Sequence, residues 1–347
     1  MKLLQITNWL SILSFLTTVI LSIASFTLDT IWTAVIHPLF IQHFKIEQRA
    51  RQVALRLLKL GPIPKHVAFV MDGNRRYAKG RQKSTGQGHR EGFGRLQETL
   101  DWCLQLGVST VTVYAFSIEN FSRSHDEVGM LMGLAHEKFR EFASQSDLAT
   151  RHGVRVRVLG ETHMLPLDLQ AAAANAEAMT RHNTRATLNI CFPYTSRHEI
   201  AAAVRKVVQA VEDGRIAVED VSAEVIERCL GTGDDEDLDL LVRTSGEIRL
   251  SDFLLWQASN SCHIHFAAKF WPEFTFWDML LPILAYQVRH KDIMETRGTE
   301  SSTVPLSTIA TKSSTPSTIV CDVALAAEKT TIDDSTVGLN ANDGSKP

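Results

Sequence analysis

Between Lys65 and Arg76 an apolar, strand-like run, His66-Val67-Ala68-Phe69-Val70-Met71, gives way to Asp72-Gly73-Asn74-Arg75-Arg76. Arg75 and Arg76 offer permanently charged, bidentate donors. Gly73 lets the backbone turn sharply and approach a ligand with its N–H groups exposed. The combination reads as a phosphate site. Asp72 is out of place beside phosphates unless something neutralises both, and Mg2+ shared between carboxylate and phosphate oxygens is the simplest neutraliser. The plainer alternative is a strand ending in a polar turn, with Asp72 and Arg76 as a surface ion pair.

The elements that would position these residues follow from hydrophobic periodicity. Strand-like runs at 66–71, 108–116, 154–159, 187–192, 238–242 and 263–267 alternate with helical patterns at 92–106, 126–142, 167–181, 198–212, 251–258 and 276–290. Gly107 is a stop signal for the first of these helices. Such alternation predicts an α/β fold, a mostly parallel six-stranded sheet covered by helices on both faces. The polar segments Asp72 to Arg76, Ser117 to Arg123, Pro193 to Arg197 and Arg243 to Ser251 each begin where a strand ends. Ligands of open α/β sheets bind outside the strands' carboxyl ends, so these segments should converge.

The 347 residues carry a net charge of −3 and are 44% hydrophobic, enough for one full-sized core with extensions and without the basic footprint of a nucleic-acid binder. Five scattered cysteines with no Cys-x-x-Cys pair argue against a disulfide framework or a zinc site. Residues 3–28 are uncharged and apolar, long enough to cross a bilayer. Spanning anchor, cleaved signal peptide and interfacial helix are the three readings of that stretch. Basic residues Lys45, Arg49, Arg51, Arg56 and Lys59 follow it, which by the positive-inside rule leaves the remainder cytosolic. The resulting division is an anchor over 1–44, a basic amphipathic helix over 45–60 that either rests on the membrane or caps the core, a core domain over 61–292, and a Ser/Thr-rich disordered tail over 293–347. The acidic run Asp234 to Asp237 reads as a solvated loop.

Four blocks carry a resemblance: 66–79, Tyr114 to Phe121, Leu188 to Tyr194, and Arg243 to Gln257. In this order they resemble the cis-prenyltransferases, the undecaprenyl and dehydrodolichyl diphosphate synthases, over about Gly61 to Lys291, and the wording is nearest the eukaryotic, dolichol-forming catalytic type. The resemblance implies condensation of isopentenyl diphosphate with an allylic diphosphate such as farnesyl diphosphate, forming a cis double bond and releasing pyrophosphate. It makes Asp72 the Mg2+ ligand and catalytic carboxylate, and Gly73, Asn74 and Arg76, with His89, the allylic diphosphate cradle. Arg243, Arg249 and Ser251 would hold isopentenyl diphosphate, while Ser117, Asn120 and Arg123 lie near the reacting carbons. Asn120 would assist proton removal, although an amide is a poor base; Arg75, Tyr77 and Glu119 complete the substrate-binding set.

Three departures from the pattern bear on partners. Thr85 stands where some members have Arg, Cys262 where some have a metal-binding Glu, and no Arg-x-Gly triplet occurs after Trp277. The resemblance therefore implies a heteromer with a Nogo-B-receptor-type accessory subunit, the competing expectation being a homodimer completed by Arg297-Gly298. It also implies residence at the endoplasmic reticulum membrane or lipid droplet, in contact with membrane lipid. Three other classes fit less well. A trans-prenyltransferase needs Asp-Asp-x-x-Asp, and Leu238 ends the nearest run; an aspartyl phosphatase needs a second Asp where Asn74 stands; a Walker or dinucleotide loop lacks its Lys or its third Gly. A non-catalytic subunit of the same family would have lost the Asp-Gly-Asn and Arg-x-Ser positions that are intact here. Candidate tunnel walls are Met130, Met132 and Leu134 on one helix and the alanines 171–174 on another, residues that core packing explains equally well.

Overall fold

Five consecutive buried residues, His66–Val70, form β1, from which a parallel sheet extends on both sides. In the computed structural model residues 37–144, 152–259 and 261–302 are described. The six strands, with β2 at Thr110–Tyr114, β3 at Val154–Leu159, β4 at Ala186–Cys191, β5 at Leu240–Arg243 and β6 at His263–Phe266, follow the order β3-β4-β2-β1-β5-β6, all parallel. A central strand buried on both faces reads as a continuous apolar run, which is why β1 shows no alternation. Phe69 is fully buried, a contribution of about 1.5–3 kcal/mol for a side chain of that kind.

The chain forms two compact units, dividing between Leu60 and Gly61. The first contains α1, His37–Leu58, in which Leu55 and Leu58 are buried while Val53 and Leu57, and Leu60 just beyond, are exposed. Among the described residues no helix is long and apolar enough to cross a membrane. The apolar stretch 3–28 lies outside the described residues, as do 303–347 of the expected tail.

In the second unit α2 is Asn74–Gly80, α3 Thr85–Leu106, α4 His125–Ala143, α5 Leu167–Thr180, α6 Ser196–Glu212, α7 Ala223–Arg228 and α8 Phe276–Ser302. Four readings need correction. Helix α3 starts at Thr85 rather than Gly92: Ser84 and Gln87 form a capping box, and two of the glycines that weaken helix propensity, Gly88 and Gly92, are needed for packing. An alanine at Gly92 would place Cβ 2.2 Å from Asn74 Oδ1, so the glycine lets α2 lie directly on α3. Residues 251–258 form no helix, because Ser251, Asp252 and Leu254 take φ of 51°, 59° and 46° while Phe253 and Leu254 are fully buried. The acidic run is not wholly solvated: Asp235 accepts from Arg157 Nη1 and from Asn189 Nδ2 at 2.7 Å, its side chain 7% exposed.

The fourth correction concerns the tail boundary. Helix α8 continues to Ser302, ten residues past 292, because Ile293 is buried and Arg297 is anchored. Arg297 Nη1 lies 3.0 Å from Asp239 Oδ1, and Nε donates to Ser261 Oγ at 2.8 Å. Asp239 immediately precedes β5, so this pair sits at the amino end of the sheet. Beside it His66 Nδ1 donates to the Glu236 carbonyl at 2.8 Å, and its Nε2, 2.7 Å away, accepts from the Thr112 hydroxyl. Burial holds His66 below the ordinary histidine pKa, in keeping with that neutral tautomer.

Candidate active site

At the carboxyl end of β1 the chain reverses through Asp72 and Gly73. Gly73 has φ of 102°, and a Cβ there would meet the Phe270 ring at 2.6 Å, so both the turn and the close packing require glycine. Gly73 N–H donates to Asp72 Oδ1 at 2.6 Å. The other oxygen accepts from Arg243 Nη2 at 2.9 Å, and Arg76 Nη2 lies 3.4 Å from it. Burial alone would raise the Asp72 pKa, but the hydrogen bond and charge of Arg243, with help from Ser245 and Gly73, hold it below the ordinary carboxylate value. Asp72 is thus ionised at neutral pH, with a third of its side chain exposed.

Arg243, at the end of β5, is 3% exposed and acts as a junction. Its Nη1 donates to Ser251 Oγ at 2.7 Å and to the Arg249 carbonyl at 2.5 Å, while its Nη2 holds Asp72. Arg249 pairs with Glu247, which also accepts from Arg76 Nη1 at 2.8 Å, and Arg76 Nη2 donates to Ser245 Oγ at 2.7 Å. Past β2, Ser117 and Asn120 form a capping box around a short 3-10 turn, Ile118–Ser122. There Asn120 Oδ1 accepts from Ser117 N–H at 3.1 Å. That oxygen orients the turn, and an amide nitrogen has no basic lone pair, so Asn120 is ill suited to proton removal.

A cavity of about 760 Å3 opens over these loops. Asp72, Gly73, Asn74, Arg75, Arg76, His89, Ser117, Glu119, Asn120, Arg123, Arg243, Arg249 and Ser251 all line it, so thirteen of the fourteen sequence-expected residues converge. Tyr77 does not line it: its hydroxyl donates to Glu91 Oε2 at 2.6 Å, and Arg81 and Lys83 lie over its ring. Part of the lining is apolar: Leu96, Val113, Leu131, Leu134, Phe139 and Ile190. Of the expected tunnel walls only Leu134 lines the cavity; Met130, Met132 and the alanines 171–174 do not.

Sequence reading missed Glu127, Ser245, Glu247 and Phe270. Glu127 bridges Arg123 at 2.8 Å and Arg75 at 3.6 Å, and Arg76 lies over the Phe270 ring at 5.5 Å. Ser245 and Glu247 stood inside a recognised block; Glu127 and Phe270 carried no signal beyond their neighbourhood. Three buried atoms of cavity-lining residues have no hydrogen-bond partner in the protein: Asn74 Oδ1, His89 Nε2 and Arg243 Nε. Burial, then the charges of Arg123 and Arg75, lower the His89 pKa to about 4, with Glu127 opposing, so it is neutral at pH 7.

Among the described residues no cluster of three or more His, Cys, Asp or Glu could hold a metal ion. The donor set at Asp72 is one hard carboxylate facing a cavity. That fits Mg2+, which binds through one or two carboxylates and takes its other positions from water and substrate phosphates. Cys262 precedes β6 at the sheet's amino end and does not line the cavity, its thiol is pushed up to about 12 by burial, and a soft sulfur suits Mg2+ poorly.

Residues 70–294 match the family model described as undecaprenyl diphosphate synthase. The Homo sapiens dehydrodolichyl diphosphate synthase complex subunit DHDDS is 51% identical over 241 residues, 70% of this chain and 72% of that one. The Schizosaccharomyces pombe dehydrodolichyl diphosphate synthase complex subunit is 45% identical over 68% of this chain and 90% of its own. Lavandulyl diphosphate synthase from Lavandula x intermedia, solved in complex with dimethylallyl diphosphate, superposes with a TM-score of 0.61 at 31% identity, covering 65% of this chain and 96% of that one. With a matching sheet, ordered motifs and a convergent Asp-Arg site, this chain belongs to the cis-prenyltransferase family of undecaprenyl diphosphate synthases.

Proposed function

We propose that this chain elongates an allylic primer of the farnesyl diphosphate class with isopentenyl diphosphate units, producing a long cis-polyprenyl diphosphate for dolichol synthesis and protein glycosylation. The observation that carries the reading is the cavity's two-part character: partly exposed Arg75, Arg76 and Asp72 on one part of its lining, and buried Leu96, Val113, Leu131, Phe139 and Ile190 on another. That lining suits a substrate with an anionic head and a hydrocarbon tail, and it gives an aspartyl phosphatase or a nucleotide no use for the apolar part. Arg76, Asn74 and His89 hold the primer's diphosphate, and Arg243, Arg249 and Ser251 hold that of isopentenyl diphosphate. Charge-assisted hydrogen bonds contribute about 1.5–3 kcal/mol each, so three such donors suffice to orient a small anion. Asp72 would hold Mg2+, which when bound would neutralise charge on the departing diphosphate. Asp72 is kept ionised for that task by Arg243, and Asn120 with Ser117 shapes the turn beside the reacting carbons rather than removing the proton.

The reading extends to a partner and a place. Arg297 is committed to Asp239 at the sheet's amino end, which removes it from the residues able to complete a diphosphate site. A second subunit of the Nogo-B-receptor type, bringing an Arg-x-Gly tail, is the source we favour. The complex is placed at the cytosolic face of the endoplasmic reticulum, where so apolar a product must be delivered. The test is turnover of radiolabelled isopentenyl diphosphate with farnesyl diphosphate and Mg2+, by the chain alone and with the candidate subunit, with products resolved by chromatography. Polyprenyl products lost on chelation support the assignment. Labelled isopentenyl diphosphate that enters no longer product overturns the activity, and equal rates with and without the partner overturn the heteromer.

A further inference from the structure

Arg197, the second residue of α6, reaches across two of the site's loops without lining the cavity. Its N–H and Nε donate to the two carboxylate oxygens of Asp252, at 3.1 and 2.8 Å. Its Nη2 donates to Glu119 Oε1 at 3.3 Å, on the turn that follows β2. The Asp252 side chain is 9% exposed, while that of Arg197 is 71% exposed, so the guanidinium clasps a nearly buried carboxylate from outside. Asp252 is itself held in the left-handed region between two other such residues, Ser251 and Leu254. Non-glycine residues keep that conformation only where surrounding contacts over-determine it. The contacts here come from the start of α6: Ser196 N–H donates to the Asp252 carbonyl at 2.8 Å, Leu255 N–H to Ser196 Oγ at 3.0 Å, and Arg197 supplies the charged pair.

This loop also presents the diphosphate-holding set. Ser251 Oγ and the Arg249 carbonyl both accept from Arg243 Nη1, and Arg243 in turn holds Asp72. We infer that Arg197 is a positioning residue: by clasping Asp252 and Glu119 together it holds the 249–254 loop in register with the 118–122 turn, and so sets the affinity for isopentenyl diphosphate rather than for the primer. The inference rests on the assignment of Arg243, Arg249 and Ser251 to isopentenyl diphosphate. The primer's set, Asn74, Arg76 and His89, stands on α2 and α3, which Arg197 does not touch through any of these bonds.

The experiment uses the full chain with its accessory subunit and compares wild type with Arg197→Ala, Arg197→Lys and Asp252→Asn. Arg197→Ala should raise KM for isopentenyl diphosphate about tenfold, with kcat within threefold and KM for farnesyl diphosphate within twofold. Lys at 197 can pair with Asp252 or Glu119 but not both, and should recover part of the loss. Asn tolerates the left-handed conformation, so Asp252→Asn removes the charge while keeping the loop's shape, and should reproduce the same KM split even if Arg197→Ala folds poorly. Calorimetric titration with isopentenyl diphosphate alone should show the same tenfold weakening without turnover. A KM for isopentenyl diphosphate within twofold of wild type in Arg197→Ala and Asp252→Asn, or equal rises for both substrates, overturns the positioning role. A wild-type complex that neither binds nor consumes isopentenyl diphosphate overturns the function and this inference together, whereas an active wild type with unchanged variants sinks the inference alone.

Discussion

The two ends of the sheet each carry an aspartate-arginine pair of almost the same length, 2.9 Å for Asp72 and Arg243 and 3.0 Å for Asp239 and Arg297, yet they are built the opposite way round. At the carboxyl end the arginine is the buried member, 3% exposed, and the carboxylate, 32% exposed, faces a cavity. At the amino end the aspartate is the buried member, 3% exposed, and it also accepts from the N–H groups of Lys65 and His66. The first pair puts an ionised carboxylate on offer to a ligand; the second consumes its carboxylate internally. An ion pair is therefore a poor marker of function by itself, and what marks the site is which charge is left facing open space.

That contrast breaks or holds on paired substitutions. Asp72→Ala should lower turnover per folded molecule about a thousandfold, roughly 4 kcal/mol of barrier, beyond the stability lost by leaving Arg243 buried without its counter-charge. A variant that kept a tenth of wild-type turnover would return Asp72 to the role of a structural ion-pair partner. Arg297→Ala should cost stability alone. Denaturant titration should show a loss of about 3 kcal/mol, because Asp239 stays buried without its counter-charge, while turnover per folded molecule is unchanged. Loss of turnover in a stable Arg297→Ala protein would instead give the amino end a part in the chemistry.

His89 sharpens the comparison through pH. Its pKa is about 4 when folded against 6.5 as an ordinary histidine, so between those values the unfolded chain binds a proton that the folded chain does not. Its contribution is whole above pH 6.5 and is lost as pH falls towards 4, amounting to roughly 3–4 kcal/mol at about 1.4 kcal/mol per unit. His66 is shifted the same way, so the measurement is the difference between wild type and His89→Gln, whose stability should fall less steeply over that window. Identical pH slopes for the two proteins would show that His89 is not held neutral. The smallest effect belongs to Gly92→Ala. Its Cβ would force Asn74 Oδ1 to turn away and strain the bond that Asn74 Nδ2 makes to the Met71 carbonyl at 3.1 Å. Steady-state kinetics should show about a tenfold fall in kcat/KM for the primer, about 1.4 kcal/mol, and little change for isopentenyl diphosphate. Equal falls for both substrates would mean that Asn74 does not separate the two diphosphate sites.

By itself the amino-acid sequence determined the strand and helix alternation, the parallel sheet, and which four segments would crowd one edge, because periodicity and strand-end position are local properties. It also named thirteen residues that do line the cavity. Tertiary structure decided what those residues do there. Asp72 meets Arg243 across 171 positions of sequence, Asn120 spends its oxygen on Ser117, and Tyr77 turns to Glu91, none of which spacing can express. The same holds where the reading failed. Residues 251–258 have a helical pattern, but burial of Phe253 and Leu254 together with the grip of Ser196 and Arg197 on Asp252 overrides it. The polar end of α8 looks like the start of a tail until Arg297 reaches Asp239, 58 positions earlier in the chain. Local pattern can say which backbone wants to be strand or helix; only the packed fold can say which charges are buried, and so which one is left to meet a substrate.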